Sequence, residues 1–152
     1  MVAGKISKRV VADRLGWIDR MLNEIRSLPL HSKPTFMQDT RNIWTAESCL
    51  RRALEALFDL GRHIAAKGFA EAVTEYKEIA SALNRRNIIS TNELELMQKL
   101  AGYRNRLVHF YHDINEDELF EICSSRLGDV ERIANVLRSW LSKNPNIMDE
   151  TL

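Results

Sequence analysis

Hydrophobic residues recur at three- and four-residue intervals along most of the chain, and charged or turn-forming residues interrupt the pattern at only a few points. Val10, Val11, Leu15, Ile18, Leu22 and Ile25 mark one face of a helix predicted over about Ile6 to Leu28, where Pro29 ends the pattern. The segment from Pro29 to Pro34 reads as a turn-rich connector. Ile43, Ala46, Leu50, Ala53, Leu57, Leu60 and Ile64 then trace a second long helix, closed by Gly68. A shorter helix is predicted from about Ala70 to Leu83, followed by Asn84-Arg85-Arg86-Asn87 and the pair Ile88-Ile89. Ser90 with Glu93 three residues later fits a capping box, and Leu94, Met97, Leu100, Tyr103, Leu107 and Val108 form the apolar face behind it. Asn115 with Glu118 offers another cap, opening a last long helix through Leu119, Ile122, Cys123, Leu127, Val130, Ile133, Leu137 and Leu141. No segment carries a strand pattern, an internal repeat or low complexity. The expected fold is all-α, an up-and-down helical bundle of four long helices plus a short extra helix.

Composition narrows the class. The 152 residues are 45% hydrophobic and 28% charged, with 6 Gly and 3 Pro, which fits one globular domain over residues 1–152 with its core at about 6–144. Apolar runs such as Leu57-Phe58 are broken by charges every few residues, so no membrane contact is expected. Met1-Val2-Ala3-Gly4-Lys5 lacks the apolar centre of a signal peptide, and the expected location is cytoplasmic. Cys49 and Cys123 are far apart and sit at apolar helical positions, the setting of buried free thiols rather than of a disulfide or metal pair. With 22 Lys+Arg against 21 Asp+Glu the net charge is +1, which gives no global field for nucleic acid. Any RNA contact is therefore local, drawn from basic residues at Arg51-Arg52, Arg62-His63, Arg85-Arg86 and Lys99 to His112.

The chemistry concentrates in the segment from Arg104 to Tyr111, where an arginine, an amide, a histidine and a tyrosine fall within one short, otherwise apolar stretch. Arginine clamps a phosphate through two parallel hydrogen bonds, and an unperturbed imidazole exchanges protons near neutral pH. The same residues also suit an ordinary helix C-terminus, where cations complement the negative end of the dipole. RNA carries its own nucleophile in the 2′-hydroxyl. Cleavage needs a base for that proton, an acid for the leaving 5′-oxygen and positive charge at the phosphorane; DNA lacks the hydroxyl and resists this route. On a continuous helix Arg104 and His109 point about 140° apart, whereas Asn105 and His109 share a face. Convergence then requires the helix to loosen near His109, the Arg104 side chain to wrap around, or a second copy of the chain to supply the partner. For a metal-assisted rival the sequence offers only His109-x-x-His112-Asp113, which lacks the glutamate-bearing spacing of zinc hydrolases, so no metal and no cofactor is expected.

Arginine, four residues, histidine, any residue, tyrosine, preceded by Gly102-Tyr103, resembles the HEPN superfamily, and within it the HepT-type toxin ribonucleases encoded beside MNT-type minimal nucleotidyltransferases. The segment from Arg51 to Ile64 resembles that family's second helix, and Tyr76-Lys77-Glu78 through Ile88-Ile89 its middle segment, so the likeness runs from about Ile6 to Leu141. The resemblance implies a HEPN-like bundle and a homodimer whose two motifs face a shared cleft. It implies a toxin that is a metal-independent endoribonuclease, acting on an RNA substrate of the tRNA or mRNA class, with Arg104 and His109 catalytic and Asn105 supporting them. It further implies a cognate MNT-type nucleotidyltransferase antitoxin that transfers AMP to Tyr111, placing charge and bulk beside the catalytic pair. The alternative is a helical HEPN binding module that partners the nucleotidyltransferase without catalysis.

Several residues have plainer readings. Tyr111 alone reads as a half-buried aromatic at a helix end. Asp59 either steadies a motif arginine or pairs locally with Arg62. His63 and His112 read as surface residues, and Trp17, Trp44 and Trp140 as core or dimer interface.

Overall fold

The structure is a computed structural model that describes residues 4–109 and 114–150. Among the described residues seven α-helices carry the fold: α1 (Lys8–Arg26), α2 (Lys33–Gln38), α3 (Thr40–His63), α4 (Tyr76–Arg85), α5 (Thr91–Val108), α6 (Glu116–Ser125) and α7 (Leu127–Lys143). A π-helical turn, Ile64–Gly68, extends α3, and a 3-10 turn, Pro145–Ile147, follows α7. The all-helical expectation holds, with one small exception at the ends of the described chain. There β1 (Ile6–Ser7) pairs in parallel with β2 (Met148–Asp149), a contact that no local periodicity encodes.

α3 is the central element. It packs most extensively against α1 and touches α2, α4, α5, α6 and α7. Leu50, Ala53, Leu54, Leu57, Phe58 and Leu60 are wholly buried along it, and residues from all seven helices join them in one hydrophobic cluster. Such a helix is apolar around most of its circumference because neighbours cover it on several sides. At Gly61 the neighbours come closest: a Cβ there would lie 3.0 Å from Ile79 and 3.1 Å from Leu83 of α4.

Four predicted boundaries move, each for a local reason. The first helix starts at Lys8, because Ser7 acts as its cap, its Oγ accepting from the Val10 N–H at 3.2 Å. The Pro29–Pro34 connector gives way to α2, which Ser32 caps with Pro34 in the first turn; Phe36 is fully buried, edge-on to Phe120 of α6 at 5.3 Å. The shorter helix begins at Tyr76 instead of Ala70, since Ala70 has left-handed backbone (φ 53°) that breaks the helical path. The predicted last long helix is two helices, broken at Arg126 (φ −119°, ψ 1°). The end of α4 is locally specified: Asn87 takes the left-handed conformation (φ 60°) and the Ile88 N–H reaches back to the Leu83 carbonyl at 3.0 Å.

Both cysteines are free thiols, Cys49 half-buried and Cys123 buried, where desolvation pushes the Cys123 thiol up to about 12. Trp17 and Trp140 pack against the core, but Trp44 is 65% exposed and so is no core residue. No helix among the described residues is long and apolar enough to cross a membrane.

Candidate active site

The sequence of α5 positions the motif. Ser90 and Glu93 form the predicted capping box in both directions, Ser90 Oγ accepting from the Glu93 N–H at 3.2 Å and the Glu93 carboxylate accepting from the Ser90 N–H at 2.8 Å. Met97, Leu100, Ala101 and Tyr103 bury the inner face, which leaves Arg104 and Asn105 at the rim.

The helix ends at Val108. His109 is its C-cap, with extended backbone (φ −95°, ψ 114°), and its N–H donates to the Asn105 carbonyl at 3.0 Å. His109 thereby leaves the helical path that would have kept it about 140° from Arg104. Arg104, Asn105 and His109 line one cleft of about 670 Å³, completed by Arg62, Thr74, Glu75, Tyr76 and Lys77. The end of the helix at Val108 thus lets His109 share a cleft with Arg104 within one chain. Tyr111, His112 and Asp113 lie outside the described residues.

Arg104 is held from three sides. Its Nη2 pairs with Glu55 Oε2 at 3.2 Å, its Nη1 donates to Asn105 Oδ1 at 3.5 Å, and its guanidinium carbon lies 4.3 Å from the centroid of the Tyr76 ring. Glu55 is itself anchored by Arg51 at 2.7 Å, one turn earlier on α3. Tyr76 in turn stacks on buried Phe58, with centroids 4.7 Å apart and planes inclined by 19°. Burial, the largest influence, raises the Tyr76 phenol above its ordinary range, with Arg104 opposing, so the ring stays neutral beneath the cation.

A second arginine shares that ring. The Arg62 guanidinium carbon lies 5.9 Å from the Tyr76 centroid, its Nη1 pairs with Asp59 at 3.2 Å, and its Nη2 donates to the Thr74 carbonyl at 3.3 Å. The Nε atoms of both Arg62 and Arg104 are buried and have no hydrogen-bond partner among the described residues. Asp59 takes the local reading: it pairs with Arg62 and with Arg14 at 3.6 Å, and Glu55, one turn earlier, is the carboxylate that steadies the motif arginine. Arg106, inside the motif, points away and forks onto Glu118 of α6, one of its two contacts measuring 2.8 Å.

His63 is half-buried, which corrects its reading as a surface residue. Its Nε2 accepts the Ser7 N–H at 2.9 Å, an arrangement open only to the neutral ring protonated at Nδ1, and burial, then Lys67 and Arg14, lower its pKa. It fastens β1 to the end of α3 and takes no part in the cleft.

Arg62 and Tyr76, which line the cleft, and Glu55, which pairs with Arg104 outside its lining, are residues that sequence reasoning missed. The signal for Glu55 was its i, i+4 spacing from Asp59 on one face of α3. Tyr76 stood within a segment noted only for its likeness to a family, and Arg62 within a scatter of basic residues. Among the described residues no group of three or more His, Cys, Asp or Glu is placed to hold a metal ion.

An arginine held against an aromatic ring and a carboxylate, beside a histidine in an open cleft, is an anion-binding and proton-transfer arrangement. Residues 18–137 match the family described as ribonuclease HepT-like. The chain belongs to the ribonuclease HepT-like family. Over 90 residues this HepT-like chain is 26% identical to the mRNA nuclease HepT of Shewanella oneidensis, covering 59% of this chain and 68% of that one. It is 23% identical over 133 residues to the tRNA nuclease HepT of Aphanizomenon flos-aquae, covering 87% and 90% of the two chains. Its fold is also that of the tri-AMPylated Shewanella oneidensis HEPN toxin, solved in complex with its MNT antitoxin, with a TM-score of 0.77 at 22% identity over 86% of this chain and 97% of that one.

Proposed function

We propose that this HepT-like ribonuclease is the toxin of a toxin–antitoxin pair, and that it cleaves RNA without a metal through Arg104 and His109 at a homodimer cleft. The observation that carries the reading is the end of α5 at Val108, which brings His109 into the cleft of Arg104 and Asn105. Arg104 stabilises the charge that grows on the phosphorane. Its buried surroundings strengthen that attraction, and Tyr76 and Glu55 hold it in place beforehand. One imidazole takes the 2′-hydroxyl proton, the 2′-oxygen attacks phosphorus, and the 5′-oxygen departs with a proton from an acid on the opposite side, leaving a cyclic phosphate. A single cleft offers one His109, so a second copy related by a twofold axis provides the second imidazole. The substrate is a tRNA or mRNA, in keeping with what the two related nucleases are named for.

Control falls to Tyr111. Its phenol oxygen attacks the α-phosphorus of ATP on a cognate nucleotidyltransferase, pyrophosphate leaves, and the phenol proton passes to solvent. The added phosphodiester attaches a negative charge and a nucleoside two residues along the chain from His109, where it would compete with the RNA phosphate. The AMPylated state of the related Shewanella toxin supports AMP transfer as the mode of control.

Expression of the chain without its partner is expected to slow growth, and His109→Ala to remove the effect. Coexpression with the nucleotidyltransferase should add AMP units to the intact mass, and Tyr111→Phe should abolish them. Full toxicity of His109→Ala would end the catalytic assignment, and a chain that binds the partner but cleaves no RNA would instead be a binding module.

A further inference from the structure

α5 separates two clefts. Arg104, Asn105 and His109 face the first; Lys99, Gly102 and Arg106, spaced three and four residues apart, line the second, a groove of about 460 Å³ shared with α4 and α6. Lys77 of α4 lines both, so the two clefts adjoin at one side chain.

The groove is basic although the whole chain carries only +1. Lys77, Lys99, Arg106 and Arg126 outnumber Glu118 and Glu121 on its walls, and Arg106 neutralises Glu118 by its forked contact. Lys77, Lys99 and Arg126 are exposed and enter no ion pair among the described residues. Such unpaired cations along a concave surface suit a phosphate backbone.

Gly102 is a second, independent observation. A glycine inside a helix lowers its stability relative to alanine, so its presence calls for a reason. Packing within the chain provides none, because a Cβ at Gly102 would meet nothing within 4 Å. Gly16 and Gly128 are also open, but they lie on exposed surface, whereas Gly102 is half-buried in the wall of the groove. A missing side chain there lets a ligand approach the helix backbone closely.

We infer that single-stranded RNA runs from the active-site cleft past Lys77 into this groove, with its phosphates against Lys99 and Arg126 and its backbone close to Gly102. The inference rests on the ribonuclease reading above. From Lys99 to the end of α5 the helix rises about 14 Å, enough for several nucleotides to contact the protein away from the scissile bond. Specific positioning of RNA therefore depends on residues that take no part in the chemistry.

The test is equilibrium binding of a fluorescent single-stranded RNA, across a salt series, to the full-length protein carrying His109→Ala, so that the RNA stays intact. Adding Lys99→Ala or Arg126→Ala is expected to weaken binding several-fold and to lower the slope of log K against log salt by about 0.7 each. Adding Gly102→Ala should raise the melting temperature and yet weaken binding, opposite directions that a purely structural glycine would not give. Unchanged affinity and salt slope in all three would overturn the track. So would a shift in oligomeric state by light scattering without loss of RNA affinity, which would make the groove a protein interface. Cleavage by the otherwise unaltered protein is measured alongside, so a failure of the ribonuclease reading shows separately.

Discussion

Tyr76 offers the sharpest test of how the cleft holds its arginines. Replacing it with leucine keeps an apolar side chain against Phe58 but removes the ring that lies 4.3 Å from the Arg104 guanidinium and 5.9 Å from that of Arg62. For a half-buried ring the nearer cation contributes about 1 kcal/mol, the farther one sits at the edge of useful range, and the stack on Phe58 adds roughly another 1 kcal/mol. Tyr76→Leu is therefore expected to cost about 2 kcal/mol of stability. It should also lower kcat about fivefold, the equivalent of 1 kcal/mol lost in holding Arg104. Tyr76→Phe keeps the ring and the stack, and should stay within about 0.5 kcal/mol and twofold of the parent. Urea unfolding and RNA cleavage on the three proteins decide the matter. If phenylalanine proves as damaging as leucine, the hydroxyl and not the ring face is what matters, and the argument from stacking fails.

Other consequences follow from single contacts. His63 titrates below its ordinary range because burial and nearby cations favour the neutral ring that accepts the Ser7 N–H. The unfolded chain then binds the proton more readily than the folded one. This contribution to stability is complete above about pH 6.5 and is lost as pH falls through the lowered folded value. In His63→Gln the slope of stability against pH over that window should flatten, and an unchanged slope would assign it elsewhere. Gly61→Leu drives a side chain into Ile79 and Leu83, which lie 3.0 and 3.1 Å from where even a Cβ would stand, and should destabilise by about 1–3 kcal/mol in denaturant unfolding. At Asn87, in left-handed backbone at the end of α4, valine should cost about 1–2 kcal/mol while glycine is tolerated; equal melting temperatures for the two would contradict the capping role.

What was legible in the sequence was what is local. The Ser90–Glu93 capping box, the Asn115 cap and most of the apolar faces of α1, α3 and α5 depend on residues a turn or two apart and form as read; the exceptions are Val10, which lies outside the core cluster, and Val108, which is 39% exposed at the end of α5. The break at Arg126 was hidden because Ile122, Cys123, Leu127 and Val130 keep helical spacing across it, so the hydrophobic face continues although the backbone does not. The pairing of Ile6 and Ser7 with Met148 and Asp149 joins distant segments and leaves no periodic trace. In the candidate site Arg104, Asn105 and His109 were named from one segment, but their meeting depends on α5 ending at Val108, one residue before the histidine. Glu55, Arg62 and Tyr76 come from α3 and α4, and only packing around Phe58 and Gly61 brings them to the same place.

The central claim is metal-free cleavage by Arg104 and His109 through the 2′-hydroxyl of RNA. Its most direct measurement is cleavage by the purified protein in excess EDTA, with the same oligonucleotide sequence offered as RNA and as its 2′-deoxy counterpart. The parent protein should cut the RNA to products ending in a cyclic phosphate and leave the deoxy strand intact. Arg104→Ala and His109→Ala should each be slower by at least about 10²-fold. Cleavage of the deoxy strand, a requirement for added metal, or full activity in His109→Ala would contradict the account.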